Sequence, residues 1–167
     1  MSLRDILRWP DPRLKQTCAP VDKVDTDLRM LVTDMLETMY AAPGRGLAAP
    51  QVGEMRRVFV MDAHWKEGEQ APMVFVNPMI VAVSAAQETR AEGCLSIPGI
   101  CPDVTRPARV RVRWLDLEGR SQEQDFTGFE AACVQHEMDH LDGTVTLDHL
   151  TQATRARVLQ AYGEALA

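Results

Sequence analysis

The sequence predicts an α+β fold in which antiparallel β-sheets pack around a central buried helix, with one helix toward the N-terminus and another toward the C-terminus. Three observations predict it. Runs rich in β-branched residues come first, a helix apolar on more than one face comes late, and the two do not alternate as the βαβ units of a parallel sheet would. A chain of 167 residues, 46% hydrophobic and 25% charged, can bury one sizeable core, so a single domain over residues 1–167 is expected.

From Asp25, "DTDLRMLVTDMLETMYAAPG" places Leu28, Leu31, Val32, Met35, Leu36 and Met39 at helical spacing. Asp25 and Thr26 are the candidate caps, and the helix should end before Pro43 and Gly44. "RRVFVMD" (Arg56 to Asp62) and "MVFVNPMIVAVS" (Met73 to Ser84) read as strands. Pro78, which cannot donate to a ladder, belongs at a strand start or a bulge. In "ARVRVRWLDLEG", Arg109, Arg111 and Arg113 alternate with Val110, Val112 and Trp114, which describes a strand with one wet face, turned by Glu118 and Gly119. "TGFEAACVQHEMDHLDG" opens with Thr127 and Glu130 in a capping-box pattern and closes at Gly143, where a left-handed cap is favoured. A last amphipathic helix runs from about Thr151 through Val158, Leu159, Tyr162 and Leu166.

Charge and cysteine usage exclude several function classes. A formal net charge of -6 at pH 7 leaves no broad basic surface for phosphates, so direct DNA binding is not expected. No apolar run approaches the roughly 20 residues of a membrane helix, and "MSLRDILRWPDPRL" lacks the apolar core of a signal peptide. The expected location is the cytoplasm, where Cys18, Cys94, Cys101 and Cys133 would be free thiols or metal thiolates. None of them forms a C-x-x-C pair.

The chemistry centres on "QHEMDHLDG". At about 100° per residue, His136 and His140 project about 40° apart, one turn above the other, so both imidazoles can reach one ion. Glu137, offset from that pair, is a natural general base for a water beside the ion. Two imidazoles do not complete a site. Downstream, the place of a third histidine holds Thr146, Glu164 lies near the chain end, and Asp148 or His149 would need a sharp fold-back. Upstream, Cys94 in "EGCLSIPG" offers a thiolate; taken alone it reads as a buried structural cysteine sooner than as a ligand. In "GRGLAAPQVG", Gly44 and Gly46 permit close backbone approach and Gln51 supplies an amide that can donate to an oxyanion.

These three stretches, "GRGLAAPQVG", "EGCLSIPG" and "QHEMDHLDG", in this order, resemble the three motifs of the peptide deformylases, and "ILRWPDPRL…CAPV" extends the resemblance from about Ile6 to Leu150. The resemblance implies metal-dependent hydrolysis of the N-formyl group from the initiator methionine of formylated nascent polypeptides, releasing formate. It implies Cys94, His136 and His140 as metal ligands, Glu137 as general base and acid, Gln51 and the Leu95 N–H as the oxyanion hole, and the Gly46 and Gly93 backbones as lining of the substrate cleft. It implies one divalent ion, iron(II) in many members, replaceable by zinc, nickel or cobalt. Glu92 and Arg106 would then anchor the Cys94 loop. The methionine side chain needs an apolar pocket, for which Phe129, Ala132 and Cys133 are placed on the helix turn before His136; they read equally as plain core.

One position departs from the family pattern. Between the two glycines, where the family usually has a hydrophobic residue, stands Arg45 at the expected substrate entrance; a loop arginine is by default solvated. Family members act at the ribosome, which makes the C-terminal helix with Arg155 and Arg157 a candidate docking surface, although two arginines on an exposed face are by default solvated. Two other readings compete: an H-E-x-x-H protease, which lacks its downstream ligand here, and a non-catalytic relative that binds formylated or nascent chains.

Overall fold

The computed structural model describes residues 2–166, apart from the side chains of residues 165 and 166, so the expected contact of Leu166 lies outside the described residues. An N-terminal arm containing a short 3₁₀ turn, Pro12–Lys15, leads to helix α1, Thr26–Ala41. The Asp25 carboxylate accepts the Leu28 N–H and caps α1, while Thr26 is its first helical residue. Strand β1 (Gly46–Ala48) and a 3₁₀ turn (Ala49–Val52) precede β2 (Val58–Met61), β3 (Met73–Val83), β4 (Gln87–Ala91), β5 (Asp103–Pro107), β6 (Arg109–Leu115) and β7 (Ser121–Thr127). Helix α2 (Gly128–Leu141), a 3₁₀ turn (Thr146–His149) and helix α3 (Gln152–Leu166) complete the chain.

The principal sheet is antiparallel, in the order β1-β2-β3-β6-β7; β4 and β5 form a separate antiparallel pair. Both faces of its first half are covered, which is why β2 reads "VFVM" with no polar residue. Val58, Val60 and Val76 face Leu28, Leu31, Val32, Met35 and Met39 of α1. On the opposite face Phe59, Met61 and Phe75, with Val110, Val112, Trp114 and Phe126, receive Ala131, Val134, Met138 and Leu141 of α2. The helix carrying the histidines is thereby seated on a stacked Phe59–Phe75 pair, whose ring centroids are 4.4 Å apart.

A third cluster joins distant segments. Leu14, Cys94, Ile97, Val145, Leu147 and Tyr162 are buried together, with Trp9, Val158 and Leu159 packed against them. The Tyr162 hydroxyl donates to the Trp9 carbonyl at 2.8 Å, tying α3 to the N-terminal arm.

Several expectations are refined. β2 starts at Val58 because Arg56 is taken by a parallel bridge to Ala19. Pro78 sits at a bulge: the β3–β6 register shifts between Val76 and Met79, and Asn77 adopts φ 48 while its amide clips Val21 at 2.8 Å through both N–H and C=O. Thr127 occupies the N-cap of α2 but makes no side-chain cap bond. It is still paired with Arg109 in the β6–β7 ladder, and Glu130, instead of reaching back, meets His64 at 3.0 Å. Gly143 has φ 73, and a Cβ there would also lie 2.6 Å from the Lys15 carbonyl oxygen, so two independent constraints demand glycine.

Candidate metal centre and cleft

Helix α2 presents His136 and His140, and the loop after β4 brings Cys94 to them. That loop is tightened by the Ile97 N–H donating to the Cys94 carbonyl at 3.0 Å. One ligand atom from each of Cys94, His136 and His140 lies within 4.8 Å of the others, and all three residues are buried. Tetrahedral coordination at ordinary metal–sulfur and metal–nitrogen distances separates donor atoms by about 3.5 Å. Cys94 Sγ and His140 Nε2 are 3.5 Å apart. The electrostatics agree: burial opposes charge on His136, yet the neighbouring Cys94 and Glu92 push its pKa well above the ordinary value, so the surroundings favour positive charge at this point. Burial, with the His136 and Arg106 charges, holds His140 well below its own ordinary value. A divalent cation satisfies both demands, and the donor set fits one.

Behind the ligands lies a chain of paired charges. His136 Nδ1 is 2.9 Å from Glu92, and Arg106 grips both oxygens of that carboxylate at 2.7 and 2.9 Å. Arg106 also donates to Asp139 at 2.8 Å, and Asp139 meets His149 at 2.7 Å. Burial alone would raise the Glu92 carboxyl, but the Arg106 and His136 hydrogen bonds outweigh it and hold it at about 2. The expected Glu92–Arg106 pair is therefore a buried clamp on His136.

Glu137 is buried, and its Oε2 has no hydrogen-bond partner within the protein. Burial pushes its carboxyl up to about 7, against the pull of the His136 charge. Such a group can both take and return a proton near neutral pH. Gly46 backs directly onto it, since a Cβ at that position would lie 2.5 Å from Glu137 Oε1. At Gly44 a Cβ would meet Leu95 Cδ1 at 2.7 Å, a side-chain tip that can swing aside, so the demand for glycine is weaker there. At Gly93 the nearest contact would be an ordinary 3.5 Å to Cys101 Sγ, so the close approaches are made at Gly44 and Gly46 instead.

The Gln51 amide is locked. Its Oε1 accepts the Ala48 N–H and its Nε2 donates to Ser96 Oγ, each at 3.0 Å, with Nε2 3.8 Å from Cys94 Sγ. A cleft of about 1050 Å³ opens over these groups. Arg45, Gly46, Gly93, Leu95, Phe129, Ala132 and Cys133 all border it, as do Gln51, Cys94, His136 and Glu137, while His140 lies behind them. Burial raises the Cys133 thiol, consistent with an apolar wall.

Arg45 is not solvated as expected of a loop arginine. It donates to both Glu67 oxygens at 2.7 and 2.9 Å and to the Ala63 carbonyl at 2.6 Å, and its guanidinium carbon lies 5.3 Å from the Phe129 ring centroid. Arg155 likewise turns inward, to Asp148 and over the Trp9 ring, whereas Arg157 stays exposed. The alternative ligands have other partners: His149 meets Asp139, Asp148 accepts from Lys15, and Glu164 accepts from Gln160. Ser96, Asp139 and Glu67 were not singled out from sequence, and His149, weighed there only as a third ligand, is found instead against Asp139. Ser96 alone carried a signal, its place inside "EGCLSIPG".

The polypeptide deformylase family model matches residues 3–156. The peptide deformylase of Afipia carboxidovorans is 48% identical over 165 residues, covering 99% of this chain and 96% of its own length. That of Alkalilimnicola ehrlichii is 53% identical over 158 residues, covering 95% and 88%. Among solved structures, the Ehrlichia chaffeensis peptide deformylase in complex with actinonin superposes with a TM-score of 0.92 at 39% identity, covering 99% of this chain and 98% of that one. The Legionella pneumophila peptide deformylase gives 0.92 at 38% identity, covering 97% and 94%.

Proposed function

Because the chain belongs to the polypeptide deformylase family, we propose that Cys94, His136 and His140 hold its metal ion and that Glu137, Gln51 and the Leu95 N–H carry the reaction beside it. The enzyme is a metal-dependent hydrolase that removes the N-formyl group from newly synthesised polypeptides. The observation that carries the residue assignment is the convergence of one sulfur and two ring nitrogens, from segments more than 40 positions apart, to within 4.8 Å.

When bound, a divalent ion supplies Lewis acidity that makes water a nucleophile near neutral pH. Glu137 takes the proton from that water as it attacks the formyl carbon, and then delivers it to the departing amine nitrogen. The Gln51 amide, oriented by Ala48 and Ser96, donates to the oxyanion together with the Leu95 N–H. Phe129, Ala132 and Cys133 receive the methionine side chain. A narrow site beside Gly93 admits a formyl carbon, which bears only hydrogen, and disfavours larger acyl groups. Comparable turnover of acetyl-Met and formyl-Met peptides would contradict this discrimination.

Iron(II) is the proposed native ion, with zinc, nickel or cobalt as replacements, since a donor set of one thiolate and two imidazoles accepts all four. The proposed location is the cytoplasm, supported by four free cysteines; no helix among the described residues is long and apolar enough to cross a membrane. The exposed face of α3, with Arg157, is the surface proposed for the ribosome.

The test is anaerobic purification with metal analysis, then formate release from formyl-Met peptides by the wild type and Glu137→Ala. One equivalent of iron in both proteins and turnover only in the wild type is the expected result. Full metal content in Cys94→Ala would remove the sulfur from the ligand set.

A further inference from the structure

The protein is acidic, at a net charge of -6, yet the rim of its cleft carries cations. Arg45 and Lys66 line one wall, and Arg8 and Arg90 border the same cleft. Of the carboxylates lining the cleft, Glu92 is consumed by Arg106 and His136, Glu137 is buried on the floor and Asp5 is exposed, while Arg90 is itself paired with exposed Glu88 at 2.9 Å. Arg45 stands over Phe129, at the mouth of the proposed methionine pocket. Its partner Glu67 keeps 61% of its side chain exposed. An ion pair that exposed is weak, and another carboxylate can replace it at little cost. Lys66, with its ammonium 5.7 Å over the Trp65 ring, makes no ion pair among the described residues.

Resting on the deformylase reading of this cleft, we propose that Arg45, supported by Lys66, is a specificity-determining cation that favours nascent chains with an acidic side chain directly after the formyl-methionine. A substrate carboxylate exchanges with Glu67 for the Arg45 guanidinium, whose planar fork is held in place by the Ala63 carbonyl and the Phe129 ring. A lysine at the same substrate position meets like charge and is disfavoured.

The experiment compares kcat/KM for formyl-Met-Glu-Ala-amide and formyl-Met-Lys-Ala-amide, with formyl-Met-Ala-Ala-amide as the neutral reference, using metal-replete enzyme. The expected Glu/Lys ratio is about three- to tenfold at low ionic strength and shrinks toward one as salt screens it. Arg45→Gln should reduce the ratio, Arg45→Lys should retain only the part that comes from net charge, and Glu67→Gln should increase it by freeing the guanidinium. A wild-type ratio of one or less, or one unmoved in both Arg45→Gln and Glu67→Gln, overturns the proposal. Turnover of the neutral peptide with a flat ratio sinks the charge preference alone; no formate from any of the three peptides sinks the deformylase reading with it.

Discussion

His136 Nδ1 and the Glu92 carboxylate are 2.9 Å apart, and the geometry makes one ring nitrogen the donor to Glu92 while the other faces Cys94. A carboxylate behind a ligand histidine fixes its tautomer and raises its basicity. Glu92→Gln should therefore weaken metal affinity by about 10- to 100-fold. Competition with a fluorescent chelator measures it; unchanged affinity would reduce Glu92 to a loop anchor.

The same carboxylate gives the fold a pH dependence. Its folded-state pKa of about 2 lies below its ordinary 4.5, so its stabilising contribution is complete above pH 4.5 and is lost as pH falls toward 2. Removing one partner of a buried ion pair costs roughly 3–5 kcal/mol, and less where, as here, Asp139 still holds Arg106. Urea unfolding of wild type and Glu92→Gln should show a constant gap above pH 5 that closes on acidification. A gap widening toward low pH would reverse the sign.

Gly46→Ala should act on chemistry before stability. The new methyl must displace the Glu137 carboxylate, which it would otherwise approach to 2.5 Å. A misplacement of this size costs on the order of 100-fold in kcat. Metal content should remain, and kcat within threefold of wild type would show that Glu137 has slack.

Gly143→Ala should act on stability alone. Its added Cβ meets backbone, the Lys15 carbonyl, in a left-handed conformation, so neither side can yield cheaply. Thermal unfolding should report a loss of roughly 2 kcal/mol or more, with kcat of the folded fraction preserved.

Sequence revealed β6 by its alternation and β2 and β3 by their β-branched runs, but not β5, where the alternation of "DVTRP" spans only two buried residues. In β6, Arg109, Arg111 and Arg113 face outward and Val110, Val112 and Trp114 inward, as their order requires. β4 and β7 escaped because "QETRA" buries no residue and "SQEQDFT" buries only Phe126, too little for a period; ladder bonds and cross-strand pairs such as Arg111–Glu123 and Arg109–Asp125, whose partners no local pattern names, complete β7. The H-E-x-x-H helix was readable from spacing, since its ligands are one turn apart. Cys94 was not, because nothing periodic links a loop to a helix 42 positions later; only the three motifs together pointed to it. Glu67 and Asp139 were hidden for the same reason, each acting on a residue more than 20 positions away.

The hydroxyl of Tyr162 clasps the N-terminal arm, and its ring shares an apolar nest with Cys94 and Ile97. Helix α3 is therefore no detachable handle: deleting it strips the cover from the sulfur donor, so lost activity after truncation would say nothing about docking. A large assembly leaning on that helix would also press on the loop carrying the thiolate, and engagement would be felt as a change in metal retention as well as in where the enzyme sits.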